Sequence, residues 1–211
     1  MWAESPTVYV LVLLLGIWIA MSRETRIAVN GYVLQTALVA LLYGLTAFQT
    51  RDSMEYVVLF GLVVLRLGLI PWLLRRFLRG ELYTARQTRE VFSPAYALAL
   101  HIILAVVGIA VGQSAQPGTL GLDFGMTIAV LLVGLATVTI AHHAPKQVMG
   151  ILAADNGIDL AVVLTLRRFT AVADYAIFVD VTVAALCLTL MVLRLFAYGS
   201  QHAHHFNDLK G

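Results

Sequence analysis

Four charged residues lie where a chain built for lipid would carry only apolar side chains: Arg66, Asp155, Asp159 and Asp180. A charge at the centre of a bilayer costs at least about 2.5–3.5 kcal/mol, so such residues pair, line hydrated cavities or carry protons. Asp155 and Asp159 are four apart, which puts both on one helix face about one turn apart. Like charges at that spacing repel, so at least one is expected to hold a proton at neutral pH. A carboxyl held in that condition is a natural proton carrier. Asp180 falls nine residues into the next apolar stretch. At a rise of 1.5 Å per residue it lies within roughly 10 Å of Asp155 in depth. Two carboxylates on adjacent antiparallel helices, separated by a few waters, make a proton relay. Arg66 has two readings. It is a fixed positive charge that tunes a nearby acid or gates a proton path, or it is one half of a buried ion pair with Asp155, Asp180 or an acid on a partner subunit.

Other polar residues can support such an axis. Asn156, beside the acids, offers both a donor and an acceptor, and Gln35 lies at depth in the second apolar stretch. His101 lies about two turns into the fourth stretch and could join the axis, although a lone membrane histidine is more often hydrogen-bonded locally. His142 and His143 are adjacent and therefore point apart, so no facing pair for haem is expected. The histidines of the tail, His202, His204 and His205, are expected to be solvated. Cys187 is the one cysteine and cannot form an internal disulfide or a four-ligand metal site alone. No P-loop, dinucleotide-binding glycine pattern, nucleophile elbow or CxxC is present. The chain is therefore expected to carry no cofactor and no catalytic chemistry of its own. Asp123, Asp174 and Glu55 are expected near the outer surface, where they need no special role.

The elements that hold these residues are membrane helices. The chain has 211 residues, 60% hydrophobic and 12% charged, with mean hydropathy +0.87. Soluble domains carry about 25% charged residues. A bilayer core of about 30 Å needs roughly 20 apolar residues as helix. Seven stretches qualify: Pro6–Met21, Ile27–Phe48, Met54–Leu78, Pro94–Gly112, Leu122–Ala141, Lys146–Leu166 and Ala171–Phe196. The first lacks the flanks of a signal peptide and reads as a retained helix. Ser93 is expected to cap the helix that Pro94 opens. Pro71, inside the third helix, is expected to kink it and free a carbonyl at depth. The fold class is thus all-α, a polytopic membrane protein of seven transmembrane helices.

Arginine and lysine distribution sets the orientation. Arg23, Arg26, Arg75, Arg76, Arg79, Arg86, Arg89, Lys146, Arg194 and Lys210 lie on one side, and Arg51, Arg167 and Arg168 on the other. That bias puts the N-terminus outside and the C-terminus in the cytoplasm. It gives the charge a topological purpose, so no nucleic-acid partner is expected. Two membrane units are expected within one domain, residues 1–112 and 113–211, joined by an outer loop Gln113–Gly121. Both halves carry a glycine followed by polar residues at depth, Gly31 with Gln35 and Gly150 with Asp155, a weak echo of a parallel repeat. Gly150, Gly157, Ala153 and Ala154 would let a neighbouring helix approach closely, or let water in.

The stretch from His143 through Gly150 to Asp155-Asn156-Gly157 resembles the matching segment of hydrogenase-4 component E, which carries Glu-Asn-Gly at the same spacing. Arg66, Leu67, Ile70 and Pro71 are similar to that family's intramembrane basic residue followed by proline. The segment Ala176-Ile177-Phe178 before Asp180 and the ending Asn207–Gly211 resemble it too. The last three helices are similar to the small K subunit of respiratory complex I and the C subunit of multisubunit cation/proton antiporters. Those subunits carry two buried glutamates. By this resemblance Asp180 matches the second, while Asp155 falls about three residues after the first, whose place is taken by Leu152. The acids here are Asp and the base is Arg, which does not give up its proton.

The resemblance implies a non-catalytic integral membrane subunit of a complex-I-like, group 4 hydrogenase or formate-hydrogenlyase-type assembly in a bacterial or archaeal cytoplasmic membrane. Its partners would be antiporter-like and quinone-site-like membrane subunits and a peripheral redox arm that holds the metals. The alternatives are a subunit of a cation/proton antiporter or ion-coupled carbon-uptake system, and a scaffold whose polar residues join helices to larger subunits.

Overall fold

A computed structural model of the chain describes residues 6–51, 53–77, 93–141 and 144–165. Asp180 and the rest of the seventh stretch lie outside them, as do Asp174, Cys187, His142, His143 and the tail. The described residues form helices and short connections, with no strand among them. In chain order these are α1 (Pro6–Met21), α2 (Thr25–Thr50), α3 (Ser53–Gly61), a π segment (Leu62–Leu69), α4 (Ile70–Phe77), α5 (Pro94–Ala115), α6 (Thr119–Ile140) and α7 (Ala144–Thr165). The α3, π and α4 pieces follow one another without a break, so Glu55–Arg76 is one span. Among the described residues, five helical stretches are long and apolar enough to cross a membrane, and α1 is a shorter apolar helix. By length and composition the chain is a multi-pass membrane protein.

Two glycine seams set how the helices stack. A Cβ at Gly108 of α5 would stand 2.6 Å from the Ala129 backbone nitrogen of α6, so those two backbones touch. On the far side of α6, a Cβ at Gly157 of α7 would stand 2.7 Å from the Leu131 nitrogen. Gly150, Ala154 and Gly157 lie on one face of α7 at helical spacing, against α6. At 3.6 residues per turn, positions 155 and 159 then project from the opposite side of α7. There α2 packs, with α1 bridging α2 and α6, and the Arg66 side chain of the third helix reaches across. Close backbone approach through small residues is how helices associate in lipid, where no hydrophobic force drives them together.

The third helix is not α-helical throughout: a π segment precedes Pro71, where the sequence predicts a kink. The perturbation takes the form of the π segment that ends just before the proline, where the Ile70 N–H donates to Leu65 O, five residues back. A proline ring removes one hydrogen bond and crowds the carbonyl four residues earlier, and wider winding relieves that crowding. The π segment has a second consequence. Val58, Leu62, Arg66, Ile70 and Leu74 are all buried, a stripe repeating every four residues. On an α-helix such a stripe drifts by about 40° at each step. A π segment has more residues per turn and drifts the other way, so the mixed helix keeps the five residues on one face. Arg66 therefore faces the protein, while Val63 and Val64 face outward.

Some expectations change in detail. Ser93 precedes α5 but its side chain makes no capping bond, and its carbonyl instead accepts the Ala97 N–H at 3.0 Å. The expected outer loop Gln113–Gly121 shrinks to Gln116–Gly118, because both flanking helices extend inward over it. Gly118, with φ of 103°, makes the turn that lets α5 and α6 run as a tight hairpin. The division at 112/113 accordingly falls in the last turn of α5. Asp123 is buried at 6% exposure, not solvated, because it sits on the α6 face covered by α1, with Tyr9 as its electrostatic neighbour. Glu55 is also buried, and it accepts the Thr50 hydroxyl at 2.5 Å across the α2–α3 connection.

Candidate functional site

Arg66 lies eleven residues from Glu55 and ten from Arg76, and Asp155 lies ten from Pro145 and nine from Leu164. Both are midway along their spans, the depth at which a charge can least reach water. Arg66 is 1% exposed, and Asp155 and Asp159 are 4% exposed. The guanidinium sits between the two carboxylates. Its Nη2 is 2.8 Å from Asp155 Oδ2, and its Nη1 donates to Asp159 Oδ2. The planar fork of arginine suits two acceptors one helical turn apart. One guanidinium faces two carboxyl groups, so the group carries one negative charge in excess only when both acids are ionised. Asp155 Oδ1 is buried and makes no hydrogen bond to any described residue.

A neutral network flanks this group. Asn156 Nδ2 donates to Gln35 Oε1 at 2.9 Å and to Thr36 Oγ1 at 3.1 Å, and Thr36 Oγ1 lies 3.3 Å from Asn156 Oδ1. Gln35 Nε2 donates onward to the Val12 carbonyl of α1 at 3.0 Å. All three side chains are fully buried. Gly16 makes room, since a Cβ there would stand 3.2 Å from Gln35 Nε2. The chain of bonds ties α1 to α2 to α7 and fixes the azimuth of α7, which aims Asp155 and Asp159 at Arg66. Tyr32 of α2, fully buried, lies within electrostatic range of Arg66 and both acids. Replacing Asn156 with Leu is expected to destabilise the protein by about 1–3 kcal/mol, because Gln35 Oε1 is left buried without a donor. A thermal-unfolding midpoint equal to that of the parent protein would refute this network's role.

No protein-family model matches the chain, and no solved structure matches it. It is 25% identical over 185 residues to an uncharacterized protein of Mycobacterium tuberculosis, covering 86% of this chain and 84% of that one.

Among the residues singled out from sequence, the fold thus joins Arg66, Asp155 and Asp159 directly and places Gln35 and Asn156 in hydrogen-bond contact beside them. Asp180 lies outside the described residues. His101 lies elsewhere, on α5. Its Nδ1 is 2.6 Å from Ala97 O and its Nε2 is 3.2 Å from Thr137 Oγ1 of α6. A carbonyl can only accept, so Nδ1 carries a proton and the ring is held locally. Leu152 is buried in an apolar cluster with Tyr32, Met149 and Ile70. Sequence reasoning missed Thr36 and Tyr32. The signal that could have found them is their spacing on α2, where Tyr32 and Thr36 are four apart and Gln35 lies beside them.

Proposed function

We propose that the chain is an integral membrane subunit of a complex-I-like, hydrogenase-type assembly, and that Arg66, Asp155 and Asp159 form one segment of its proton path. In this reading seven helices span the membrane, the N-terminus lies outside, and Asp180 continues the path on the seventh helix. The chain catalyses no reaction itself; redox energy comes from a peripheral arm. The observation that carries the reading is a buried guanidinium shared by two carboxyl groups at mid-span, which hold one negative charge in excess when both are ionised. A proton arriving on Asp155 neutralises that excess and commits Arg66 to Asp159. Loss of the proton restores the sharing. Movement of the guanidinium between its partners couples proton occupancy to the π segment that carries Arg66.

One observation also favours a static reading. Arg66 is engaged by both acids, as a purely structural ion cluster would be. The two readings differ on Asp155→Asn. If the excess charge is functional, this variant leaves one guanidinium with one carboxylate, so stability holds or rises while protons moved per electron fall several-fold. If the cluster is only structural, the same charge balance holds and coupling is unchanged. Proton uptake by vesicles holding the assembled complex, normalised to redox turnover, separates them, with thermal unfolding of the purified chain as the check on stability. Unaltered pumping at unaltered turnover defeats the proton-path proposal. Co-purifying chains test the assembly: a redox subunit with paired CxxC motifs supports it, and antiporter subunits alone support the ion-exchange alternative.

A further inference from the structure

A cleft of about 250 Å³ opens between α2 and the third helix, at the end of the bundle that bears Arg23, Arg26, Arg75 and Arg76. Its inner part is apolar: Leu67 and Gly68 of the π segment, Pro71, and Val33 of α2. Gly68 helps to create it. A Cβ added there would meet nothing but the Val63 carbonyl of its own helix, at 3.7 Å. The mouth is cationic and aromatic, formed by Trp72, Arg75 and Arg76. Arg75 Nη2 donates to Asn30 Oδ1 at 3.2 Å, which closes one side of the mouth across α2. The Arg76 guanidinium stands 5.7 Å from the Trp72 ring centroid. Arg26 precedes Asn30 by one turn on the α2 face that also carries Val33. Among the described residues, neither Arg75 nor Arg76 forms an ion pair with a carboxylate.

Guanidinium groups at the end of a membrane-length helix, over a cleft with an apolar floor, match the chemistry of an anionic lipid. A phosphodiester accepts paired N–H donors from arginine, and an acyl chain fills the apolar part. A half-exposed tryptophan at the mouth sits at headgroup level. We propose that this cleft holds the headgroup phosphate of one anionic phospholipid, bound by Arg75 and Arg76 with Arg26 at its flank. The first acyl carbons lie against Leu67, Gly68 and Val33. A zwitterionic lipid brings its own ammonium group towards these arginines and is disfavoured. The proposal is independent of the proton path, although the lipid would rest on the two residues that follow Arg66.

The test uses the full chain in phosphatidylcholine nanodiscs with graded phosphatidylglycerol. It is read by thermal unfolding and by native mass spectrometry of retained lipid. Phosphatidylglycerol is expected to raise the unfolding midpoint and remain bound, whereas phosphatidylcholine alone and millimolar inorganic phosphate do neither. Arg75→Ala with Arg76→Ala is expected to weaken retention about tenfold or more. Gly68→Phe is expected to weaken it with every arginine in place, by filling the cleft. Arg23→Ala, exposed on the same end but outside the cleft, is expected to leave it unchanged. Equal retention in the double arginine variant overturns the proposal whether or not Gly68→Phe folds. So does an equal loss with Arg23→Ala, which would reveal only diffuse charge attraction. Stabilisation by inorganic phosphate equal to that by phosphatidylglycerol would make the ligand a soluble phosphate compound and overturn the lipid assignment.

Discussion

Replacing Arg66 with Ala is expected to destabilise the protein by about 3–5 kcal/mol, because it strands two carboxylates at the centre of the bundle with no cation. Asp155 and Asp159 project from one face of α7, and both point their Oδ2 atoms at the guanidinium. The loss therefore does not reflect the worth of a single bond. It is the cost of leaving buried charge uncompensated, and protonation of the acids limits it. Adding Asp155→Asn and Asp159→Asn to Arg66→Ala is expected to return most of the stability, since no charge then remains to strand. Arg66→Lys should fall between, keeping the charge but losing the planar fork that reaches both acids. The readout is the unfolding midpoint of each purified variant, with the fraction that elutes as a monodisperse species, arranged as a mutant cycle. An Arg66→Ala protein as stable as the parent, or a triple variant no better than Arg66→Ala, contradicts the ion cluster.

The second large effect is expected at the seam between α6 and α7. A Cβ at Gly157 would stand 2.7 Å from the Leu131 nitrogen, 3.1 Å from its Cα and 3.2 Å from the Thr127 carbonyl. All three are backbone atoms, so no rotamer change relieves the clash and α7 must move off α6. Gly157→Ala is expected to cost about 1–3 kcal/mol, despite the better helix propensity of alanine. Gly157→Val should cost more. Gly44→Ala supplies the contrast. Its Cβ would meet the Leu59 side chain at 3.6 Å, ordinary contact, so the gain in helix propensity should leave the protein unchanged or slightly more stable. Thermal unfolding of the two alanine variants side by side decides the matter; equal midpoints would show that the seam is loose. Displacing α7 also moves Asp155 and Asp159 relative to Arg66, so under the proton-path proposal coupled proton movement should fall with stability in Gly157→Ala. That pattern differs from the one the same proposal expects of Asp155→Asn, where coupling falls several-fold while stability is kept.

Much of this arrangement is legible along the chain. The length of apolar sequence identifies the membrane stretches, and the expected Pro6–Met21 coincides with α1. The spacing of four places Asp155 and Asp159 on one face, and the depth of Arg66 requires a partner for it. Small residues at 150, 154 and 157 mark the face of α7 that another helix meets. The proline at 71 signals a disturbed helix, although the sequence does not foretell a π segment. It follows from which winding keeps Val58, Leu62, Arg66, Ile70 and Leu74 against the bundle. Burial of Asp123 and Glu55 is equally illegible, because both sit near helix ends, where local pattern suggests water. Only the covering by α1 in one case and the Thr50 hydroxyl in the other removes them from it.

What the sequence alone determined is the solvent and the inventory: a chain for lipid, with a few ionisable groups at depths that local geometry can count. Partner choice came from the tertiary structure. Arg66 could have met Asp155, Asp180 or an acid on another subunit, and nothing in residue spacing ranks them. The α6–α7 glycine seam and the Gln35–Asn156 bond rotate α7 so that its acids face the third helix, and the π segment turns Arg66 to meet them. The physical reason is that spacing fixes angles within a helix, whereas the angle between helices depends on which backbones come close enough to touch.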